Sequence, residues 1–77
     1  MTTEDKSLTN LFEIYKYSEK PPIIELLDIN NKPVGALYLD KIRCDQLVVS
    51  ETNHSEKYCV YIDGILIYFS YFRKITG

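Results

Sequence analysis

The chain has 77 residues, 45 % of them apolar and 13 % aromatic, with seven Tyr, three Phe and no Trp; its net charge is −2 and its pI about 5.2. That length holds one domain, and that apolar fraction excludes wholesale disorder. The acidic balance excludes a basic footprint over the whole surface, so any nucleic-acid site has to be local.

A core this small is marginal, and chains below about 80 residues usually add disulfides, a metal or oligomerisation. Cys44 and Cys59 are too few for a disulfide framework. Both lie in apolar stretches and read as buried thiols. The sequence shows no charged-then-apolar leader and no apolar run near the roughly 18 residues of a membrane span. The expectation is a soluble cytoplasmic protein with no membrane partner.

Residues 1–6 are polar and read as a frayed, disordered tail. Ser7 is a candidate helix N-cap. Leu8, Leu11, Phe12 and Tyr15 then recur at the spacing that places side chains on one helical face. Pro21-Pro22 cannot continue a helix, so the pattern predicts a helix over about 8–18. Beyond it the chain reads as short strands within a single domain over 7–77. Ile23–Ile29 is the first, and Asn30–Pro33 a turn. Val34 to about Ile42 is the second, and Gln46–Glu51 the third. A polar loop over Thr52–Lys57 leads to the fourth, Tyr58–Ile62. Asp63-Gly64 breaks the chain before the fifth, Ile65–Phe72. Short strands at this spacing predict a barrel or sandwich.

The last two strands are apolar on both faces. One face of the fifth carries Ile65, Ile67, Phe69 and Tyr71, the other Leu66, Tyr68, Ser70 and Phe72. The fourth sets Tyr58, Val60 and Ile62 against Cys59 and Tyr61. A half-exposed strand in a monomer alternates apolar with polar. A chain this short has little material to cover both faces, so a partner subunit is expected on these strands. Tyr58, Val60, Ile62, Ile67, Phe69 and Tyr71 are the candidate interface. The competing reading is a small barrel whose own helix covers the extra surface.

Catalytic patterns are missing. There is no nucleophile elbow, phosphate-binding glycine loop or C-x-x-C. The sole histidine, His54, sits in a polar loop without metal-ligand spacing and reads as solvated. Asp28, Asp40, Asp45 and Asp63 occupy strand ends and turns, where Asp bonds nearby backbone N–H groups. The chain reads as a non-enzyme without cofactor, catalytic residue or metal site.

One helix followed by five short, bent strands resembles the Sm/LSm proteins and their bacterial relative Hfq. The opening Ser7-Leu8-Thr9-Asn10-Leu11-Phe12 matches the S-L-x-x-x-F of Hfq-type helices. Pro22 precedes the first strand as it does there, and Gly35 stands where that family bends its second strand. Val60-Tyr61-Ile62-Asp63-Gly64-Ile65-Leu66-Ile67-Tyr68-Phe69 is similar to the second Sm motif, with Asp63 in place of the basic residue. Asp40-Lys41-Ile42-Arg43-Cys44 is similar to the end of the first, with Arg43 at the Asn position; another register puts Asp45 there. The Hfq sequence Y-K-H is absent.

The resemblance covers residues 7 to about 72. It implies an Sm-like, SH3-type, five-stranded, strongly bent antiparallel barrel that closes into a homo-oligomeric ring of about five to seven subunits. In such rings strand four of one subunit pairs with strand five of the next. The pore residues would be Asp40, Lys41, Arg43, Asp45, Asp63 and Gly64. Single-stranded RNA or DNA is the implied ligand, with bases stacked and cations along the backbone, in RNA processing or regulation. Arg43 would stack on a base or pair with a phosphate, and Lys41 would meet phosphates. Lys32, Arg73 and Lys74 read as solubilising charge. The acidic pI and the missing basic residue favour an alternative, an oligomeric protein–protein interaction module of the same fold. A monomeric SH3- or OB-type barrel is a third reading.

Overall fold

The computed structural model describes residues 3–75, except the side chains of Thr3 and Cys44. Order begins earlier than the polar composition suggested. Thr3–Glu4 forms a short strand, β1, antiparallel to Val49–Glu51, with Glu4 opposite Ser50. Of the expected tail, only residues 1 and 2 lie outside the described residues.

Helix α1 spans Lys6–Lys16, and Asp5 rather than Ser7 caps it. The Leu8 N–H donates to Asp5 Oδ1 at 3.0 Å, satisfying one of the amides that the first turn leaves orphaned. The helix therefore starts and ends two residues before the predicted bounds. Its buried face carries Thr9 and Phe12, with Leu8 and Tyr15 packed beside them. Thr9 also bonds the sheet below: its Oγ1 accepts from Val49 N at 3.0 Å and donates to Val49 O at 3.4 Å.

Strands β2 (Ile23–Leu27) and β3 (Pro33–Tyr38) form a hairpin. Its turn is built on Asp28, whose Oδ1 accepts from the Asn30 and Lys32 amides at 2.8 Å each. Asn31 takes the left-handed conformation, φ +64°, which Asn tolerates better than most residues. From Leu39 to Val48 the chain has no strand, only the single 3-10 turn Cys44–Gln46. Leu39, Ile42 and Leu47 are nonetheless buried and pin this segment to the core. Lys16 Nζ donates to the carbonyls of Leu39 and Ile42, tying the segment to the end of α1.

Strands β4 (Val49–Glu51), β5 (Tyr58–Ile62) and β6 (Ile65–Phe69) follow as an antiparallel meander. The β5–β6 turn is Asp63-Gly64, with φ of +51° and +82°, the mirror-image turn that suits the twist of a hairpin. The predicted fifth strand is in fact two. It breaks at Ser70 and continues as β7 (Tyr71–Ile75), which pairs with β2. Ser70 is buried, and both its N–H and its hydroxyl are bonded. Its N–H donates to Leu27 O at 2.8 Å, and its Oγ donates to Glu56 and accepts from the Lys57 amide.

The result is a four-stranded sheet, β1-β4-β5-β6, and a three-stranded sheet, β3-β2-β7, joined through the Ser70 bend. Mainly β structure with one helix is as expected. The closed five-stranded barrel is not: hydrogen bonds among the described residues leave two open sheets. β3 and β6 pass side by side without pairing, and a Cβ on Gly35 would lie 3.3 Å from Ile67 Cδ1. Gly35 permits this close approach. Phe12, Ile24, Leu26, Leu37, Leu39, Ile42, Leu47, Val49, Val60 and Phe69 form one core between the sheets and α1. Phe72 closes it edge-on against Phe12, ring centroids 5.0 Å apart.

Candidate interaction surface

The meander β4-β5-β6 has two faces, and the pleat assigns every residue to one of them. Val49, Val60 and Phe69 point inward and are essentially fully buried. Tyr58, Ile62 and Ile67 share that side, half-buried against the core. Five of the six residues expected to meet a partner thus face the chain's own interior. The sixth, Tyr71, is 39 % exposed, with Lys57 Nζ 5.2 Å from its ring centroid. The expected subunit pairing also meets an obstacle. β5 is bonded to β4 on one side and β6 on the other, so it has no free edge to offer a neighbour.

The opposite face is the exposed one. Tyr61 lies across from Leu66 and Cys59 across from Tyr68. Together with Val48 and Ser50 they line a shallow depression of about 330 Å³ that contains no charged residue. Tyr61 is 60 % exposed, Leu66 47 % and Val48 40 %. His54, from the β4–β5 loop, stacks on Tyr68 with ring centroids 4.1 Å apart and so extends this face. Cys59 is buried beneath these side chains, and burial pushes its thiol pKa up. The expected burial holds for Cys59; the Cys44 side chain lies outside the described residues. Alternation marked both faces as apolar, but no periodicity says which face turns inward.

The structure brings two of the predicted pore segments together. Gln46 Nε2 donates to Asp63 Oδ1 at 3.3 Å, so the 3-10 turn meets the β5–β6 turn. Arg43 pairs with Asp45 at 3.0 Å in solvent, both side chains largely exposed. Lys41 Nζ lies 5.8 Å from the ring centroid of the exposed Tyr38, and Asp40 is exposed beside it. With Lys16 held on the Leu39 and Ile42 carbonyls, Lys41 and Arg43, these segments carry as many cations as the carboxylates Asp40, Asp45 and Asp63. Gly64 serves the turn: its φ of +82° strains any other residue, although a Cβ would meet nothing within 4 Å. Two of the charges read as solubilising have particular neighbours. Arg73 is ion-paired with Glu25 across β2–β7, and Lys74 Nζ lies 4.8 Å from the Tyr15 ring centroid.

Among the described residues no group of three or more His, Cys, Asp or Glu is arranged to hold a metal ion, and no helix is long and apolar enough to cross a membrane. Compared with known proteins, the chain matches no family model, no curated protein and no solved structure.

Proposed function

We propose that this protein is a non-catalytic interaction module that assembles with copies of itself through the outer face of β4, β5 and β6. The observation that carries this reading is the uncharged depression formed by Val48, Ser50, Cys59, Tyr61, Leu66 and Tyr68 on so small a chain. Water gains from leaving such a surface, and no side chain within it has a charge to desolvate. Light scattering behind a sizing column, run over a range of concentrations, tests it. Mass above the 9.0 kDa of one chain is expected. A 9.0 kDa species at every concentration ends the proposal.

A second reading, single-stranded RNA or DNA along residues 40–43, has one observation in its favour. Lys41 beside the exposed ring of Tyr38 offers a phosphate contact and a stacking surface in one place. The adjacent Asp40 and the Arg43–Asp45 pair weigh against it. Titrating a labelled single-stranded RNA at two salt concentrations decides, because phosphate contacts make affinity fall with salt. Absence of binding at low salt discards this reading. If RNA binds there, Arg43→Ala weakens it while the mass in solution stays the same.

A further inference from the structure

The β5–β6 ladder stops while one of its two chains runs on. It extends from Ile62 opposite Ile65 to Tyr58 opposite Phe69. There the segment before β5 turns away, its Lys57 N–H donating to the Ser70 hydroxyl at 3.2 Å. β6 instead continues through the Ser70 bend into β7. β7 pairs with β2 along one edge and, among the described residues, with no strand along the other. An open edge presents a row of N–H and C=O groups that can template one more strand. At the start of β7, where β5 leaves off, Leu8, Lys57, Tyr58, Ser70, Tyr71 and Phe72 line a depression of about 280 Å³.

This edge is also cationic. Lys57, Arg73 and Lys74 are exposed, and neither β7 nor the lining of the depression contains a carboxylate. The pleat sends Arg73 to one side of β7 and Lys74 to the other. Arg73 is paired with Glu25, whereas Lys57 and Lys74 lie over the rings of Tyr71 and Tyr15. Glu56, next to Lys57, is turned to the Ser70 hydroxyl.

We propose that the outer edge of β7 binds an extended segment of another protein, in which an apolar residue is flanked by acidic ones. The added main chain pairs with β7, and the depression takes the apolar side chain. The flanking carboxylates meet Lys57 and Lys74. β7 has five residues, about 17 Å of strand, which suits a segment of about the same length. A second copy of the chain is a poorer occupant. Its β2, β4 and β5 are bonded on both edges, and its β1 has only two residues. Its β3 and β6 lie against each other, and its β7 would bring like charge to like. The site is apart from the outer face of β4, β5 and β6 and does not depend on self-assembly.

The test uses a fluorescein-labelled peptide of alternating Glu and Val, capped at both ends. Fluorescence polarisation is expected to show saturable binding that weakens as salt rises. The counterpart of alternating Lys and Val is expected not to bind. A Glu and Val peptide with every amide N-methylated keeps its charge but cannot donate to β7, and is expected to bind at least about tenfold more weakly. Lys57→Glu combined with Lys74→Glu, checked by circular dichroism for an intact fold, is expected to weaken the unmethylated peptide by a similar factor. In wild type, peptide is expected to slow amide exchange within Tyr71–Ile75, which locates the added strand without any substitution. Absence of saturable binding at low salt overturns the proposal. Equal binding by the N-methylated peptide also overturns it, because charge attraction without an added strand remains. Equal binding by the Lys and Val peptide or by the doubly substituted chain, or unchanged exchange within Tyr71–Ile75, does the same. None of these outcomes bears on the mass of the chain in solution, so self-assembly stands or falls separately.

Discussion

The two faces of the β4-β5-β6 meander are nearly matched in composition, yet most of their large side chains differ in fate. Val49, Val60 and Phe69 are buried to within about one per cent, while Tyr61 and Leu66 on the reverse of β5 and β6, and Val48 just before β4, are 40 to 60 % exposed. Hydrophobicity alone did not choose between them. The inner face is the one that α1 and the second sheet reach, through Phe12, Ile24 and Leu37. Among the described residues no further strand or helix covers the outer face. Contiguous exposed apolar patches on small proteins often mark contact sites, which is the ground for the self-assembly proposed above.

The sharpest way to break this comparison is to truncate one residue on each face. Phe69→Ala removes a fully buried ring from the core and is expected to cost about 3–5 kcal/mol, enough to lower the urea midpoint severely or abolish folding. Tyr61→Ala on the outer face is expected to change stability by no more than about 0.5 kcal/mol. Equal costs in urea unfolding at a concentration where the chain is monomeric would show that the two faces are not distinguished as described.

Next in size is the bond that holds the helix to the inner side. Thr9→Val keeps the shape but leaves the Val49 amide without its partner, which is expected to cost about 1–3 kcal/mol. Hydrogen exchange is expected to rise most at Val49, and an unchanged rate there would remove Thr9 from that role. Gly64→Ala follows, at about 1–2 kcal/mol, because φ of +82° is unfavourable for an L side chain even where space is open. A measured cost near zero would mean that the β5–β6 turn relaxes into another form.

The smallest expected effect comes from Cys59, which lies under the outer face. Burial raises its pKa, so the folded chain holds the thiol proton more tightly than the unfolded chain does. This contribution is complete at neutral pH, below the ordinary thiol value, and is lost as pH rises through the raised value. Urea midpoints are therefore expected to fall with rising alkaline pH more in wild type than in Cys59→Ala. Identical pH dependence would place the thiol in contact with water.

Local signals carried much of the fold. Apolar spacing at Leu8, Phe12 and Tyr15 marked the helix, and Pro21-Pro22 marked the end of its reach. Asp63-Gly64 separated two strands because that pair suits the left-handed turn of a hairpin. The helix start was missed by two residues because Asp5 and Ser7 are both competent caps, and Asp5 gained the role with its N–H already bonded to Val49 O. β1 was unreadable, since two polar residues become a strand only when β4 lies alongside. The break at Ser70 was hidden as well. Its alternating neighbours continue a strand pattern, and only the bonds to Leu27, Glu56 and Lys57 turn the chain into the second sheet.

The candidate surface was half legible for the same reason. Sequence by itself determined the β-rich class, the single helix, most strand positions and the presence of apolar residues on both sides of the last strands, because side-chain alternation and turn chemistry are local properties. Tertiary structure alone decided which side became core, where the last strand bends and that the sheets remain open between β3 and β6. Those outcomes depend on contacts between residues far apart in the chain, such as Phe12 with Phe72, Thr9 with Val49 and Gly35 with Ile67. No local pattern encodes them.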